Sequence, residues 1–281
     1  MIPFLRSIIK GPVKHIHRLM TDSNYRKWSY LETKYKFYPR HKKFKTKVLG
    51  HEFIAPDSAS FRSSYEDIFL KEIYKFQGKN SKPIIIDLGA NIGLSTIYFK
   101  YLYPEAKVLA LEADPEIFRY LELNVAKRAF SGVELLNKAA WKEDTSFHFH
   151  STGDDGGRLI PAADDKSVVV EATDISPLLN QKIDYLKIDI EGAEYEVLEA
   201  CRLQLKNVER IALEYHSKSG EEQLLDDILR ILREAGFRIH IHPVHTSPHP
   251  FLSVDVENGF DLQLDIFAWR EKGKDSQPPQ N

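Results

Sequence analysis

The chain has 281 residues, 42% of them hydrophobic and 28% charged, with a formal net charge of −2. That balance excludes a collagenous, disulfide-stapled or wholly disordered chain and suits one large α/β domain with an appended segment. The single cysteine, Cys201, excludes an internal disulfide framework and reads as a small buried hydrophobe in a helix.

The small net charge conceals an asymmetry. Residues 1–50 carry about 13 Lys/Arg against about 2 Asp/Glu, which leaves the remainder near −13. A basic arm of this kind suits an anionic membrane surface, an acidic substrate or an acidic partner, or packs on its own acidic domain. Residues 2–20 carry Phe4, Leu5, Ile8 and Ile9 between Lys/Arg flanks, the pattern of a short interfacial helix. No apolar run approaches the roughly 20 residues of a membrane span, and the first ten residues lack the apolar length and cleavage site of a signal peptide. The expectation is a cytoplasmic protein with peripheral membrane contact through the basic arm. Tyr25, Trp28, Tyr30, Tyr35, Phe37 and Tyr38 interleave with lysines but form no known nucleic-acid module, so no nucleic-acid partner is expected. Residues 1–47 are read as a basic N-terminal extension, helical and packed on the main domain.

Residues 48–271 alternate strand and helix signals, the mark of a doubly wound sheet with parallel pairing and right-handed crossovers. Ile84-Ile85-Ile86 is a continuous apolar run leading into Asp-Leu-Gly, as in a buried parallel strand. Gly93 to Tyr103 follows as helix, and Lys107–Glu112 as the second strand. Asp114-Pro115-Glu116 opens the next helix with an N-cap, a first-turn proline and an acid favoured by the dipole; Ile117, Leu121 and Val125 give its apolar stripe. Val133–Asn137 is the third strand. Phe147–His150 and Val168–Glu171 are additional strands around the Gly/Asp-rich loop Thr152–Arg158. Ile183–Asp189 and Arg210–Tyr215 are further core strands joined by a helix beginning near Glu191. A helix from Glu221 to Ala235 stops at Gly236. Phe237–His242 and Leu262–Trp269 close the sheet across a long Pro/His-rich loop, and an antiparallel last strand is expected. Residues 272–281 are read as a disordered tail.

The turn Asp87-Leu-Gly-Ala-Asn-Ile-Gly93 leaves an apolar strand and enters a helix, the setting of a nucleotide-binding loop. Glu112, at the end of the second strand, is placed to accept both hydroxyls of a ribose. Gly89, Asn91 and Gly93 lack the Gly-x-Gly-x-x-Gly spacing that fits a pyrophosphate, and the acid Asp87 suits a cationic ligand, as the amino and sulfonium groups of S-adenosylmethionine are.

Four blocks carry a family resemblance: Ile86–Thr96, Leu111–Phe118, Asp184-Tyr-Leu-Lys-Ile-Asp-Ile-Glu-Gly-Ala-Glu194 and Ala212-Leu-Glu-Tyr-His216. In these the chain resembles the FkbM family of S-adenosylmethionine-dependent methyltransferases. The resemblance implies the class I methyltransferase fold, a Rossmann-like seven-stranded sheet with an antiparallel last strand, and O-methylation of a sugar, glycan or other small polyhydroxylated acceptor. It places Asp87, Gly89, Ala90, Asn91 and Gly93 around the methionyl part and Glu112 at the ribose. Ala113 and Asp114 then lie beside the adenosine, and the Asn137–Ala140 turn, with Ala139, near the adenine.

A hydroxyl is a poor nucleophile near neutral pH, so a base or a metal must help remove its proton. Asp189 and Glu191 follow one core strand, and Glu214 and His216 end its neighbour on a shared face. The reading makes His216 the general base, as neutral imidazole, oriented by Glu214 or Asp189. The same side chains suit a divalent cation such as Mg²⁺. His240, His242, His245 and His249 form a second histidine-rich patch placed to line the acceptor pocket, and the loop Gly153–Arg158 is placed to cover it. Two rival readings stay open at this point: a nicotinamide-dependent oxidoreductase, and a catalytically silent cofactor-binding module that recruits a partner through its basic arm.

Overall fold

The computed structural model describes residues 13–150, 158–160 and 167–271. They form two compact units divided between Lys75 and Phe76. In the first unit, residues 13–21 are helical, and α1 (Ser23–Tyr35) starts at the N-cap Asp22, which accepts from Tyr25 N. Strands β1 (Phe44–Val48) and β2 (His51–Ala55) pair as a hairpin. Its two turn residues, Leu49 and Gly50, both have positive φ, the backbone that matches strand twist in a tight hairpin. Helix α2 (Ser58–Tyr65) is capped by the buried Asp57, whose carboxylate takes Ala59 N and Ser60 N. Tyr35, Phe44, Phe53, Phe61 and Tyr65 fill the space between these elements, so the core of this unit uses residues on both sides of position 47.

The second unit follows the expected alternation: β3 (Ile84–Leu88), α3 (Leu94–Leu102), β4 (Lys107–Leu111), α4 (Pro115–Ala126), β5 (Val133–Leu136). After four further strands come β10 (Tyr185–Ile188), α5 (Glu194–Ala200), β11 (Arg210–Lys218), α6 (Leu225–Glu234), β12 (Arg238–His245) and β13 (Phe260–Trp269). The seven-stranded sheet has the order β12-β13-β11-β10-β3-β4-β5. Its members from β11 to β5 are parallel, and β13 runs antiparallel to both its neighbours. This is the class I methyltransferase arrangement. Strand order reverses between β3 and β10, the switch point at which such sheets bind ligands beyond their carboxyl ends.

One face of the sheet is apolar. Ile86, Leu88, Ile188, Leu213, Ile228 and Leu232 belong to one buried cluster that includes the inner sides of α5 and α6. At roughly 25 cal/mol per Å² of apolar surface, burying this face supplies much of the drive to fold. Alternation along the strands then puts Asp87, Lys187, Glu214 and His216 on the other face.

Three local differences have physical causes. Helix α5 begins at Glu194 rather than near Glu191, because Glu191 (φ 57°) and Gly192 (φ 94°) both adopt left-handed backbone and make a turn first. Strand β12 continues to His245, into the stretch read as loop; it is an edge strand, where Pro243 is tolerated because its missing N–H leaves no ladder bond unmade. Strands β6 (Ala139–Trp141), β7 (Thr145–His150), β8 (Arg158–Ile160) and β9 (Ser167–Asp174) close into a separate sheet of order β6-β9-β7-β8. Its core is Ala139, Phe149, Val170 and Ala172, with Ala113 packed against it. The loop expected to cover the acceptor lies outside the described residues except for the backbone of Arg158, and so does the 272–281 tail.

Candidate active site

The turn after β3 is held by bonds from its backbone amides to the end of β4. Gly89 N and Ala90 N both donate to Leu111 O, at 3.0 and 2.8 Å. Asn91 N donates to Glu112 Oε2 and Asp114 N to Glu112 Oε1, each at 2.9 Å. Gly89 has φ +77°, and a Cβ there would lie 1.7 Å from Asp189 O, so only glycine lets the turn close on the end of β10. At Gly93, φ +95°, a Cβ would meet Leu121 Cδ1 at 2.8 Å; this glycine lets α3 pack on α4.

Glu112 is half-buried, and burial pushes its carboxyl up to about 7 despite the two N–H donors. Asn137 Nδ2 donates to Glu112 O and Ala113 O, which ties the turn after β5 to the end of β4. Asp114 is buried, its carboxylate accepting from Glu116 N as the cap of α4. Asp87 has no exposed surface; its Oδ2 accepts from Ser95 Oγ (2.7 Å) and Thr96 Oγ1 (2.8 Å). That carboxylate therefore fixes the start of α3 from beneath, and the expected direct contact of Asp87 with a cationic ligand has no surface to act through.

Lys187 joins this turn to the neighbouring strand ends. Its buried Nζ donates to Gly89 O (2.7 Å) and to Asp189 Oδ2 (3.2 Å), and lies 3.6 Å from Asp87 Oδ1. Burial opposes its charge, but Asp189 and Asp87 outweigh that and raise its pKa above the ordinary lysine value.

Beyond Lys187 lies the acid–histidine cluster. His216 Nδ1 donates to Glu194 Oε1 at 3.0 Å, and Glu194 also accepts from Gly192 N and Ile190 N. The opposite ring nitrogen, Nε2, faces Glu191 Oε2 and Glu214 Oε1, both at 3.6 Å. The ring itself packs on Phe260, with centroids 4.9 Å apart. His216 and Glu194 are both buried. Burial disfavours imidazolium, yet Glu194, Glu191 and Glu214 together raise the His216 pKa well above its ordinary value. The three acids thus favour the charged form of the ring, against the burial that opposes it. Burial and the Asp189 charge push Glu214 up to about 8, and burial raises Glu191 as well. Asp189, Glu214 and His216 each offer one ligand atom, all within 4.8 Å of one another.

The structure thus brings Asp189, Glu191, Glu214 and His216 together beside the Gly89 turn. Orientation of His216 comes from Glu194, not from Glu214 or Asp189. Lys187 and Glu194 were missed in the sequence, although a lysine inside the apolar strand Tyr185-Leu-Lys-Ile was a legible signal of a buried charge. Ala139 is buried in the small sheet. His240 and His242 are exposed on β12, their Nε2 atoms 2.8 Å apart.

The family model described as the methyltransferase FkbM domain matches residues 87–239, which span this turn, the cluster and the strands between them. The chain belongs to the FkbM methyltransferase family. It is 29% identical over 227 residues to methyltransferase sdnD of Sordaria araneosa, covering 66% of this chain and 86% of that relative. The AMB antimetabolite synthetase AmbE of Pseudomonas aeruginosa is 30% identical over 242 residues, 68% of this chain but 11% of that much longer protein. Among solved structures, methyltransferase FkbM from Methylobacillus flagellatus KT superposes with a TM-score of 0.44 at 16% identity, covering 75% of this chain and 55% of that one. Membership sets aside the oxidoreductase reading: this FkbM protein is a methyltransferase with the fold of the S-adenosylmethionine-dependent class.

Proposed function

We propose that this FkbM methyltransferase transfers the methyl group of S-adenosylmethionine to a hydroxyl of a sugar, glycan or similar polyhydroxylated acceptor. The observation that carries this reading is the convergence of Asp189, Glu191, Glu214 and His216 beside the Gly89 turn. Carboxylates only accept hydrogen bonds when ionised, and a polyol offers many O–H donors, so the two chemistries match. Backbone at Gly89, Ala90, Asn91 and Gly93 would border the methionyl part of the cofactor. Glu112 would exchange its two N–H partners or share them with the ribose hydroxyls. Ala113 and Ala139 would flank the adenine side, and Asp87 and Asp114 would act indirectly by fixing α3 and α4.

When bound, the cofactor would supply a methyl group whose bond to sulfur breaks as a bond to the acceptor oxygen forms, and the cluster would take the acceptor's proton. Positioning supplies much of the acceleration. The proton acceptor in this reading is the cluster of His216, Glu214 and Glu191. Burial makes its carboxylates stronger bases than exposed ones, and Glu194 holds the ring against rotation. A panel of mono- and oligosaccharides assayed with labelled methyl donor tests the acceptor class. Transfer to nitrogen or carbon nucleophiles, with none to any polyol, would remove the O-methylation reading while leaving the family intact.

A second reading rests on the Asp189, Glu214 and His216 ligand set, whose spacing and oxygen content fit a divalent ion such as Mg²⁺ or Mn²⁺. Bound there, such an ion would lower the pKa of an acceptor hydroxyl. Loss of activity in EDTA, restored by Mg²⁺, supports it; unchanged turnover in EDTA rejects it.

A further inference from the structure

Two stretches of the described chain expose apolar side chains in a pattern. One is the β12–β13 connection, where Phe251 and Leu252 are almost fully exposed. Its neighbours are histidines, prolines, Asp255 and Glu257, with no lysine or arginine from His240 to Gly259. The other is the helix over 13–21. Val13 (61% exposed), Ile16 (56%) and Met20 (77%) recur at intervals of three and four, so they line one side of the helix within about 60° of arc. Lys14 and Arg18 fall on the opposite side, and the 50 residues that contain this helix are near +11.

We propose that the 13–21 helix lies in the surface of an anionic bilayer, with Val13, Ile16 and Met20 dipping into the acyl boundary and the basic residues of the arm pairing with lipid headgroups. Three exposed apolar side chains on one helical stripe leave a favourable burial unrealised in water. A basic, amphipathic helix meets both demands of an interfacial segment, apolar area and charge complementary to anionic lipid. The stripe alone is too small for firm anchoring, and the arm's charge supplies the second signal that stable but reversible attachment needs. A neutral partner would gain nothing from that charge, and the Phe251–Leu252 tip has no such charge beside it. The inference does not rest on the acceptor proposed above.

The experiment is co-sedimentation of the full chain with phosphatidylcholine vesicles, with and without phosphatidylglycerol. Binding is expected only to the anionic vesicles. Ile16→Asp with Met20→Asp should lower the bound fraction by about tenfold or more, and Lys14→Glu with Arg18→Glu by a similar factor, about fivefold for each basic residue removed. Phe251→Ser with Leu252→Ser should leave it unchanged. The substituted side chains are exposed except Arg18, which is half-buried, pairs with Asp22 and lies over the Tyr25 ring, so circular dichroism of each variant verifies the fold. No binding to anionic vesicles overturns the proposal. So does binding that is indifferent to Ile16→Asp/Met20→Asp, which would mark a simple polyanion-binding arm, and so does binding that depends on Phe251 and Leu252.

Discussion

The Gly89 turn and the acid–histidine cluster lie side by side, bridged by Lys187, yet different forces hold them. The turn is a backbone object. Its amides donate to Leu111 O and Glu112, and its glycines are set by main-chain contact with Asp189 and side-chain contact with Leu121. The cluster is an electrostatic object: acids around an imidazole ring, tuned by burial and by one another. The turn tolerates few shape changes, because its glycines meet neighbouring atoms where a Cβ would stand. A cluster of coupled charges has the opposite sensitivities, since it keeps its shape under conservative substitution and changes character with each proton. The division suits the labour proposed here, in which one part grips an invariant cofactor and the other handles a proton.

The sharpest test of the contrast is His216→Ala. Removing the imidazole should lower kcat by about 10²- to 10⁴-fold and leave S-adenosylhomocysteine affinity within twofold, as read by calorimetry. Equal loss in both quantities would mean that the two regions are not separable. Lys187→Met should break the separation deliberately. It strands Asp87 without its ammonium and frees Gly89 O, for a cost of about 3–5 kcal/mol in denaturant unfolding. Cofactor affinity and turnover should fall together, unlike in His216→Ala. Glu112→Gln keeps the shape of the turn but weakens its acceptor, and should reduce cofactor affinity about ten- to hundredfold with kcat at saturation little changed.

The pH profile distinguishes the two regions more gently. A proton acceptor works only when deprotonated, and the Glu214 carboxyl is pushed up to about 8. The rate should therefore drop about tenfold for each pH unit below that value, while cofactor binding stays nearly flat between pH 7.5 and 9, about the range in which Glu112 is already ionised. A rate that holds constant from pH 6 to 9 would argue against a buried carboxylate as part of the base. The smallest effect is expected for Asp114→Ala, which removes the cap of α4 at a cost of about 1 kcal/mol. Measured by thermal unfolding, it should not alter the pH profile.

Much of the fold was legible because its signals are local. Ile84-Ile-Ile before Asp-Leu-Gly, the Asp114-Pro-Glu helix start and the Gly236 stop each state their own element. The small second sheet was not legible as such. Its strands are short, and β6 pairs with β9 only because the chain returns across more than 25 residues to lie beside Ala139. In the candidate site, Asp189, Glu191, Glu214 and His216 were found from strand-end placement. Glu194 was not, since nothing in Glu-Gly-Ala-Glu tells which acid turns inward to the His216 ring.

By itself, then, the amino-acid sequence determined the strand–helix alternation, the glycine turn with the acid that ends the next strand, and membership of a family whose motifs are contiguous runs of residues. Those features depend on spacing along one chain, which backbone geometry converts directly into shape. The tertiary structure decided that Asp87 faces inward, that Lys187 ties turn to cluster, and that His216 is surrounded by acids and held by Glu194. Burial and charge proximity set these properties, and both arise only when strands distant in sequence come to lie within a few ångströms of each other.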